Sequence, residues 1–435
     1  MSTSAEGSDD IAKIRINGAN QGTLPKTRIG KLTKAELKRR REQRRAKGPW
    51  GSWSSSSESD HETELKKQKP SPEDNFVDDN EISDTDGDTE ETSTFYGKTE
   101  KDYQGRGFLH PPTDIDTDLH KPVLSYKCYL PKRTKYTLSG HINGTTSLKL
   151  LPKTGHLILS GGNDNVVKIW DFYHDRKVLR DYKGHSKAIK SLCFNDDGTK
   201  FISSSFDRTV KIWDTESGSI QKKLRFGCIP NAIKFRPLNS NEFIVGLSNS
   251  KIYHYDDRIS AKDGRVQVYD HHMSSILALE YFPDGSKFIS SSEDKTVRLW
   301  ENQINIPIKQ ISDTAQHSMP YISIHPEEKY FCTQSMDNTI YTYGMKPKYK
   351  THPKKVFKGQ TSAGYGIGIT FSSDGRYICS GDAKSKVHIW DWTTIKLLST
   401  ISIPGGKPIT QVEWNPQETS KVVCSGASGK IYVVD

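Results

Sequence analysis

The chain carries histidine, serine and aspartate three times over, in the same order and at nearly the same spacing, and a tryptophan follows each aspartate by six residues. The three sets are His141, Ser160, Asp164 and Trp170; His185, Ser203, Asp207 and Trp213; and His272, Ser290, Asp294 and Trp300. Serine, histidine and aspartate form nucleophilic triads, in which the histidine activates the serine hydroxyl and the aspartate orients the histidine. Three copies of one nucleophile in one chain argue against catalysis and favour a repeated structural unit.

Strands of a sequence repeat must position these residues. The strong copies are "LILSGGNDNVVKIWDF" (157–172), "FISSSFDRTVKIWDTE" (201–216) and "FISSSEDKTVRLWENQ" (288–303), and weaker copies end at Tyr255, Tyr343, Trp390 and Tyr432. The seven closing aromatic residues are separated by 43, 42, 45, 43, 47 and 42 residues. This period and the Gly-His and Trp-Asp pairs resemble the four-stranded blades of WD-repeat proteins. The sequence therefore predicts an all-β, seven-bladed WD-repeat β-propeller.

In such blades the four side chains of a set are expected to form a buried, hydrogen-bonded tetrad, which is stabilising only when every member is paired. Three blades depart from the pattern. Blade three has Phe226 at the histidine position and Asn249 at the aspartate position, and the aspartate position holds Lys384 in blade six and Gly426 in blade seven. We expect these three blades to be held by packing alone.

The seventh blade needs a strand from elsewhere, because the sequence ends at Asp435, directly after the third strand of that blade. The stretch "KYTLSGH" matches the position of "VLRDYKGH" ahead of blade two. A strand near residues 135–138 should therefore complete the last blade and remove the exposed sheet edge of an open ring. We assign residues 122–435 to this propeller.

Charge and hydrophobicity divide the chain into parts. Apolar residues make up 33% of the chain, below the roughly 45–50% of globular domains, and they are sparse before the repeats. Lys and Arg against Asp and Glu number 13 against 5 in residues 1–57, 3 against 14 in residues 58–91, and 47 against 34 thereafter. The composition predicts a basic disordered arm over 1–57 and an acidic disordered tether over 58–94. A basic arm and a basic propeller favour a polyanionic partner such as nucleic acid; a solubilising tail is the alternative.

The arm has a helix signal around residues 34–47, because Thr33 and Glu36 form a capping box and Gly48-Pro49 ends the helix. Its basic side chains surround the helix and leave no apolar stripe, so the helix should form only against an anionic partner. The run is also compatible with a nuclear import signal. The candidate RNA or partner contacts are Lys38, Arg39, Arg40, Arg41, Arg44 and Arg45, with Trp50 and Trp53 to stack on a base or fill a protein pocket.

Two further segments are not explained by the repeat. Residues 95–121 open with "FYGKTEKDYQGRGF", in which Phe95, Tyr96, Tyr103 and Phe108 alternate with glycines. This pattern predicts an extended segment that docks either on a partner or on the chain's own propeller. The stretch "GMKPKYKTHPKKVFKG" predicts a flexible, phosphate-tracking loop or simply a solvated one. Its candidate contacts are Lys346, Lys348, Lys350, Lys354 and Lys355.

Other functional classes are disfavoured by what lies outside the repeat. The six cysteines are scattered, with no C-x-x-C spacing, which favours small core residues of a reduced compartment over a zinc site or disulfide frame. We find no phosphate-binding glycine loop and no metal-spaced histidine cluster. We therefore expect a binding platform and no enzyme, with no cofactor, metal or small-molecule substrate. The start lacks the apolar region of a signal peptide and no apolar run approaches the roughly 18 residues of a membrane span, so we expect a soluble cytosolic or nuclear protein.

The flanking segments extend the resemblance beyond a WD repeat. Together "ELKRRREQRRAKGPWGSWSSS", "FYGKTEKDYQGRGFLHPP", "SGGNDNVVKIWDFYHDRKVLRDYKGH" and "DTAQHSMPYISIHP" resemble the pre-mRNA-processing factor seventeen family, over residues 31–57 and nearly all of the chain from 95. The resemblance implies a nuclear, non-enzymatic spliceosome component that acts in exon ligation, the second step of splicing. It also implies a propeller that scaffolds the catalytic complex, and an arm that threads toward the RNA core. The implied partners are spliceosomal proteins, with small nuclear RNA and branch-site or intron RNA nearby.

The alternative function is a substrate receptor of a cullin-type ubiquitin ligase, which is also a role of propellers. "HYDDR", residues 254–258, partly matches the Trp-Asp-x-Arg ending of such receptors, although Tyr255 replaces the tryptophan and the motif occurs once. Co-purification of a cullin adaptor, in place of spliceosomal proteins and RNA, would distinguish this function from the first.

Overall fold

The computed structural model describes residues 90–435 except 98, 102, 103, 175, 261–263, 314–315 and 346–347. These residues belong to a compact unit that spans Phe76–Asp435. The predicted basic arm, its helix and most of the acidic tether lie outside the described residues, as do the candidate contacts Tyr103 and Lys346.

In the described part of the chain, the strands form seven antiparallel sheets, one for each predicted blade. Each blade runs from its inner to its outer strand in chain order, except that the outer strand of blade seven precedes the repeats. Blade one contains β3(Thr145–Leu150), β4(Leu157–Gly162), β5(Val167–Asp171) and β6(Val178–Lys183). Blade two contains β7(Ile189–Phe194), β8(Lys200–Ser205), β9(Thr209–Asp214) and β10(Ile220–Arg225). Blade three contains β11(Pro230–Arg236), β12(Asn239–Leu247), β13(Ile252–Asp256) and β14(Arg265–Tyr269).

The remaining blades repeat this order. Blade four contains β15(Ile276–Tyr281), β16(Lys287–Ser292), β17(Val297–Glu301) and β18(Pro307–Ile311). Blade five contains β19(Tyr321–Ile324), β20(Tyr330–Gln334), β21(Thr339–Gly344) and β22(Thr351–Lys358). Blade six contains β23(Ile369–Phe371), β24(Tyr377–Gly381), β25(Lys386–Asp391) and β26(Leu397–Ser402). Blade seven contains β27(Ile409–Trp414), β28(Val422–Gly426), β29(Lys430–Val434) and β2(Thr134–Ser139). The fold is the predicted all-β, seven-bladed propeller.

The ring closes where the sequence places the closing strand. Strand β2 pairs antiparallel with β29, and the backbone N–H groups of Lys132 and Arg133 both donate to the carbonyl of Asp435 over 3.0 Å. The inner strand of blade seven packs against the inner strand of blade one, so the seven inner strands surround a central channel. Strand β2 therefore covers the edge of β29, which would otherwise be exposed where the ring closes.

The core lies between the blades, where aromatic side chains of the closing positions are buried. Trp213 stacks on Phe201 with ring centres 6.0 Å apart, and Trp300 stacks on Phe288 at 6.1 Å. Both faces of the second strand of a blade pack against other parts of the propeller, so strands such as β8 and β16 are buried along almost their whole length. Near-continuous burial explains why each of these strands reads Phe-Ile-Ser-Ser-Ser after its first lysine, in place of a polar-apolar alternation.

The turn that follows the aspartate position has the same backbone conformation in six blades. Its second residue adopts a left-handed φ between 58° and 70° at Asn165, Arg208, Ser250, Lys295, Asn338 and Ser385. In blade seven the left-handed residue is Gly429, and strand pairing places Val434 at the closing position, opposite Val422. The sequence interpretation of this blade was therefore wrong by two residues. Val434 takes the place assigned to Tyr432, and Ser428 takes the place assigned to Gly426.

Blade one carries a fifth strand. β1(Thr92–Phe95) pairs antiparallel with β6, from Thr92 opposite Lys183 to Phe95 opposite Arg180. Residues 92–94 therefore belong to a sheet, and the predicted boundary of the acidic tether at residue 94 is too late. The sequence missed this because "TSTF" becomes a strand through the free edge of β6, which lies far away in the chain.

Candidate functional site

In blades one, two and four the predicted tetrads form the same chain of hydrogen bonds. In blade two, Trp213 Nε1 donates to Ser203 Oγ over 2.8 Å, Ser203 Oγ lies 2.7 Å from His185 Nε2, and His185 Nδ1 lies 2.8 Å from Asp207. The same distances are 2.7, 2.7 and 3.0 Å in blade one and 2.7, 2.7 and 2.8 Å in blade four. Because an indole can only donate, the serine hydroxyl donates to the imidazole, which donates to the carboxylate. The structure thus assembles all twelve predicted tetrad residues in three sets.

In blades two and four the electrostatics of the tetrad favour a neutral histidine beside a charged aspartate. Burial lowers the pKa of His185 and of His272 below the ordinary value. Burial alone would raise the pKa of Asp164, but the hydrogen bond from His141 and the backbone N–H of Ile142 lower it below its ordinary value. Each carboxylate also accepts a backbone N–H from the residue after the histidine, which fixes the loop between blades.

The tetrad serines are not placed to act as nucleophiles. Ser160, Ser203 and Ser290 are 0% exposed, and each hydroxyl lies between an indole and an imidazole. No substrate can reach a hydroxyl that is enclosed in this way. The serine, histidine and aspartate of each set therefore have a structural role, because they connect the strand that carries the tryptophan to the loop between blades.

Blades three and six are not held by packing alone, contrary to expectation. In blade six, Gln360 occupies the histidine position, and Asp382 accepts the N–H of Thr361 over 2.8 Å, the bond that the tetrad aspartate makes elsewhere. Trp390 Nε1 donates to the carbonyl of Lys358 over 3.0 Å. In blade three, Ser248 and Ile229 exchange hydrogen bonds of 3.1 and 2.9 Å at the corresponding loop. Other polar side chains therefore replace the lost tetrads.

The described residues of the segment 91–110 dock on the chain's own blades one and two. Phe95 stacks on Phe108 with ring centres 5.9 Å apart, and Phe108 packs against the core between these blades. Tyr96 is 55% exposed, and its hydroxyl donates to Asp181 over 3.3 Å. Of the two alternatives for this segment, the structure favours docking on the propeller for Phe95 and Phe108. Of the described aromatic candidates here, Tyr96 remains accessible to a partner.

This docking segment also neutralises two cations of the propeller. Glu91 lies 2.5 Å from the ammonium of Lys211, which is buried and also donates to the carbonyl of Gly184 over 2.7 Å. The guanidinium of Arg180 donates to Ser93 Oγ and to Glu100 over 3.0 Å. Because a buried cation without a counter-charge is costly, these contacts make the segment part of the propeller domain.

The predicted lysine-rich loop is mostly a strand. Lys354 and Lys355 lie in β22, the outer strand of blade five, and among the described candidates Lys348 and Lys350 lie in the connection before it. The Lys355 ammonium lies 3.6 Å from the centre of the Trp392 ring and 5.3 Å from that of Tyr330. Lys355 is therefore engaged within the propeller, while Lys348, Lys350 and Lys354 are exposed. The prediction of one flexible loop was wrong because prolines and lysines on an outer strand resemble a loop in sequence.

The central channel contains charges that the sequence interpretation did not single out. Lys149 forms an ion pair with Glu413 and a 3.1 Å hydrogen bond with Tyr321, and Lys234 lies 2.7 Å from Glu280. Burial lowers the pKa of Lys190, whose ammonium lies 5.3 Å from the centre of the Phe206 ring. Sequence reasoning missed these residues because inner strands of five different blades bring them together.

Other sites are not supported by the described residues. There the structure shows no group of three or more His, Cys, Asp or Glu that could hold a metal ion. No helix in that part of the chain is long and apolar enough to cross a membrane. In the "HYDDR" stretch, Tyr255 is buried between rings, and the guanidinium of Arg258 folds back on Asp256 at 2.6 Å. Tyr255 and Arg258 therefore make their contacts within the chain.

The repeats and the tetrads define the class of protein: a WD-repeat β-propeller. The family model "WD domain, G-beta repeat" matches residues 132–171, 176–214, 261–301 and 351–391. Among solved structures, the β-propeller domain of Cps50 (Swd1) from Myceliophteria thermophila aligns with a TM-score of 0.62 at 18% identity, over 70% of this chain and 99% of that one. That likeness concerns the fold alone.

Similarity to curated proteins identifies the family within this class. Pre-mRNA-processing factor 17 of Saccharomyces cerevisiae is 63% identical over 408 residues, 93% of this chain and 89% of the relative. Pre-mRNA-processing factor 17 of Mus musculus is 39% identical over 348 residues, 80% of this chain and 59% of the relative. The chain thus spans less than two thirds of the mouse relative. The chain belongs to the pre-mRNA-processing factor 17 family.

Proposed function

We propose that this chain is a non-enzymatic component of the spliceosome that acts in the nucleus in the second step of pre-mRNA splicing, exon ligation. Family membership supports a splicing role, because 408 residues align with the yeast relative. The alignment is longer than the propeller over 122–435, so the similarity extends into the segments before it.

The propeller would serve as a scaffold for other splicing proteins. Closed rings of this kind are rigid platforms, and the tetrads use the chain's triad-type residues for structure. The described residues provide exposed positions on the rim, such as Tyr96, Lys348, Lys350 and Lys354, for partner contacts. The magnesium-dependent chemistry of splicing would remain with the RNA.

The basic arm would thread toward the RNA core and order only there. Its candidate contacts are Lys38, Arg39, Arg40, Arg41, Arg44, Arg45, Trp50 and Trp53. A helix with cations around most of its circumference gains little from packing on its own domain and much from phosphate neutralisation. Small nuclear RNA and branch-site RNA would then be near neighbours of the arm.

The test is depletion of the protein from a splicing-competent extract, followed by addition of the purified chain. We expect depletion to accumulate lariat intermediate and free first exon, and the wild-type chain to restore ligated product. Accumulation of unreacted precursor would contradict the second-step assignment. Normal splicing after complete depletion would contradict a role in splicing altogether.

The arm is tested in the same extract by a variant in which its six candidate cations are changed to glutamine. We expect weak rescue of exon ligation and reduced photocrosslinking of the arm to branch-site RNA. A matched control changes Lys66, Lys67 and Lys69 of the acidic stretch to glutamine and should rescue fully. Equal rescue by both variants would show that the arm's charge is dispensable.

A further inference from the structure

A cavity of about 580 Å³ occupies the channel mouth at the end where the tetrad aspartates lie. Asn163, Phe206 and Met336 line it, and each directly precedes the aspartate-position residue of its blade. Tyr365 reaches the mouth from the connection between blades five and six, where it lies between Gly364 and Gly366. Gly364 has a left-handed φ of 84°, which allows this connection to turn sharply. The cavity is thus built by several blades at a fixed place in the fold.

The cations of this cavity are unequally compensated. Lys149 and Lys234 have Glu413 and Glu280 as ion-pair partners. Lys190 has no ion pair among the residues that the structure describes. The charge of Glu293 raises the pKa of Lys190 by less than burial lowers it. A half-buried ammonium without a counter-ion costs free energy, so the site favours an incoming anion.

The rest of the mouth is aromatic and apolar. Phe206 is 38% exposed and Tyr365 is 45% exposed, although both are large rings that could be buried. The Lys190 ammonium lies 5.3 Å from the centre of the Phe206 ring, so one wall presents a ring and a cation together. Exposed aromatic side chains beside a recessed charge are typical of anchor pockets in protein interfaces.

We propose that this mouth binds an extended acidic peptide segment of a partner protein, whose carboxylate pairs with Lys190 while a neighbouring apolar side chain packs on Phe206 and Tyr365. This inference goes beyond the proposed splicing role, because it assigns a ligand class to a particular cavity. Charge complementarity supports a peptide over RNA. One uncompensated ammonium in a recess suits a single carboxylate, whereas RNA binding requires a track of several phosphate contacts.

The test uses the purified full chain and a fluorescein-labelled peptide of sequence Gly-Ser-Leu-Glu-Phe-Asp-Gly-Ser, followed by fluorescence anisotropy. We expect binding that is lost when Glu and Asp of the peptide are replaced by Gln and Asn. Lys190→Met should weaken binding by about tenfold or more, as expected for loss of a charge-assisted contact, and Lys190→Arg should retain most of it. The matched control Lys187→Met changes an exposed lysine three residues away and should bind as the wild type does.

Unfolding measurements separate this role from a structural one. Because Lys190→Met removes an uncompensated charge, it should leave the midpoint of urea unfolding unchanged or raise it. A lowered midpoint with unchanged peptide affinity would overturn the proposal. So would binding of an oligouridylate probe in a Lys190-dependent manner without any binding of the acidic peptide. Both results can be obtained without a splicing assay, so failure here is distinguishable from failure of the splicing role.

Discussion

Blade two and blade six have the same arrangement of four strands, but different hydrogen bonds connect their strands to the loop between blades. In blade two the loop is fixed by His185 and Asp207, and the indole of Trp213 is satisfied through Ser203. In blade six Gln360 replaces the histidine, the loop is fixed by Asp382, and the indole of Trp390 donates directly to a backbone carbonyl. The comparison teaches that the blade requires its loop N–H and its indole to be satisfied, and that blades two and six achieve this in different ways.

The two solutions differ in completeness. In blade two every polar member of the tetrad has a partner, whereas both amide atoms of the buried Gln360 side chain lack one among the described residues. A buried polar group without a partner costs about 1–3 kcal/mol. Blade six should therefore be the less stable of the two.

The comparison is tested most strongly by removing the carboxylate from each blade. Asp207→Ala should lower the free energy of unfolding by about 3 kcal/mol, because the imidazole of His185 and the N–H groups of Ser186 and Thr209 lose their acceptor. Asp382→Ala in blade six should cost about 1–2 kcal/mol, since fewer donors depend on it. Urea unfolding followed by tryptophan fluorescence measures both values. A larger loss for Asp382→Ala would reverse the ranking of the blades.

A gain of stability would sharpen the comparison further. The double variant Gln360→His with Lys384→Asp should complete a tetrad with Ser380 and Trp390 and raise the free energy of unfolding by about 1 kcal/mol. The expected gain comes from giving partners to a buried position that now lacks them. Lys384→Asp alone is the matched control and should change stability by less than about 0.5 kcal/mol. If the double variant is no more stable than the control, the alternative solution in blade six is as good as a tetrad.

The pH dependence of stability separates the tetrads from a surface histidine. The folded pKa of His185 and of His272 lies below the ordinary value of 6.5, so their contribution is complete above about that pH and is lost as the pH falls through the folded pKa. For His174, burial would lower the pKa, but Asp114 and Asp171 raise it above 6.5. Its contribution is complete below about 6.5 and is lost as the pH rises through the raised value.

Unfolding midpoints between about pH 5 and pH 8 test these signs. We expect the wild type to lose stability toward acid, and we expect His174→Gln to remove a smaller loss on the alkaline side. A wild type that becomes more stable on acidification would show that the tetrad histidines are charged in the folded state.

The sequence predicts the tetrads well because the four residues of each tetrad lie close together along the chain and the same spacing recurs in three blades. His185, Ser203, Asp207 and Trp213 span fewer than 30 residues, so their spacing carries the geometry. Blade seven was misaligned because Tyr432 resembles a closing aromatic, whereas strand pairing puts Val434 there. The replacement of a tetrad by Asp382 was also missed, since it lies two residues before the aspartate position.

The channel mouth could not be predicted from local pattern. Lys190 and Phe206 come from blade two and Tyr365 from the connection between blades five and six, so their proximity depends on ring closure. The same holds for β1, because "TSTF" has no strong strand signal until β6 offers its edge. Contacts between residues far apart in the chain determine both features, so the local pattern of one sequence does not predict them.

The smallest expected effect concerns two adjacent lysines on the outer strand of blade five. Lys355 lies over the Trp392 ring at 3.6 Å, whereas Lys354 is exposed, so Lys355→Met should lower the free energy of unfolding by about 0.5–1 kcal/mol and Lys354→Met by less. Conversely, only Lys354→Met should reduce any contact of this rim with a polyanion, because the Lys355 ammonium is already engaged by the ring. Urea unfolding and the salt dependence of binding to a mixed RNA oligonucleotide measure the two effects. Equal loss of RNA binding in both variants would mean that Lys355 leaves the ring to meet phosphate, and that the sequence-based grouping of these lysines describes the bound state.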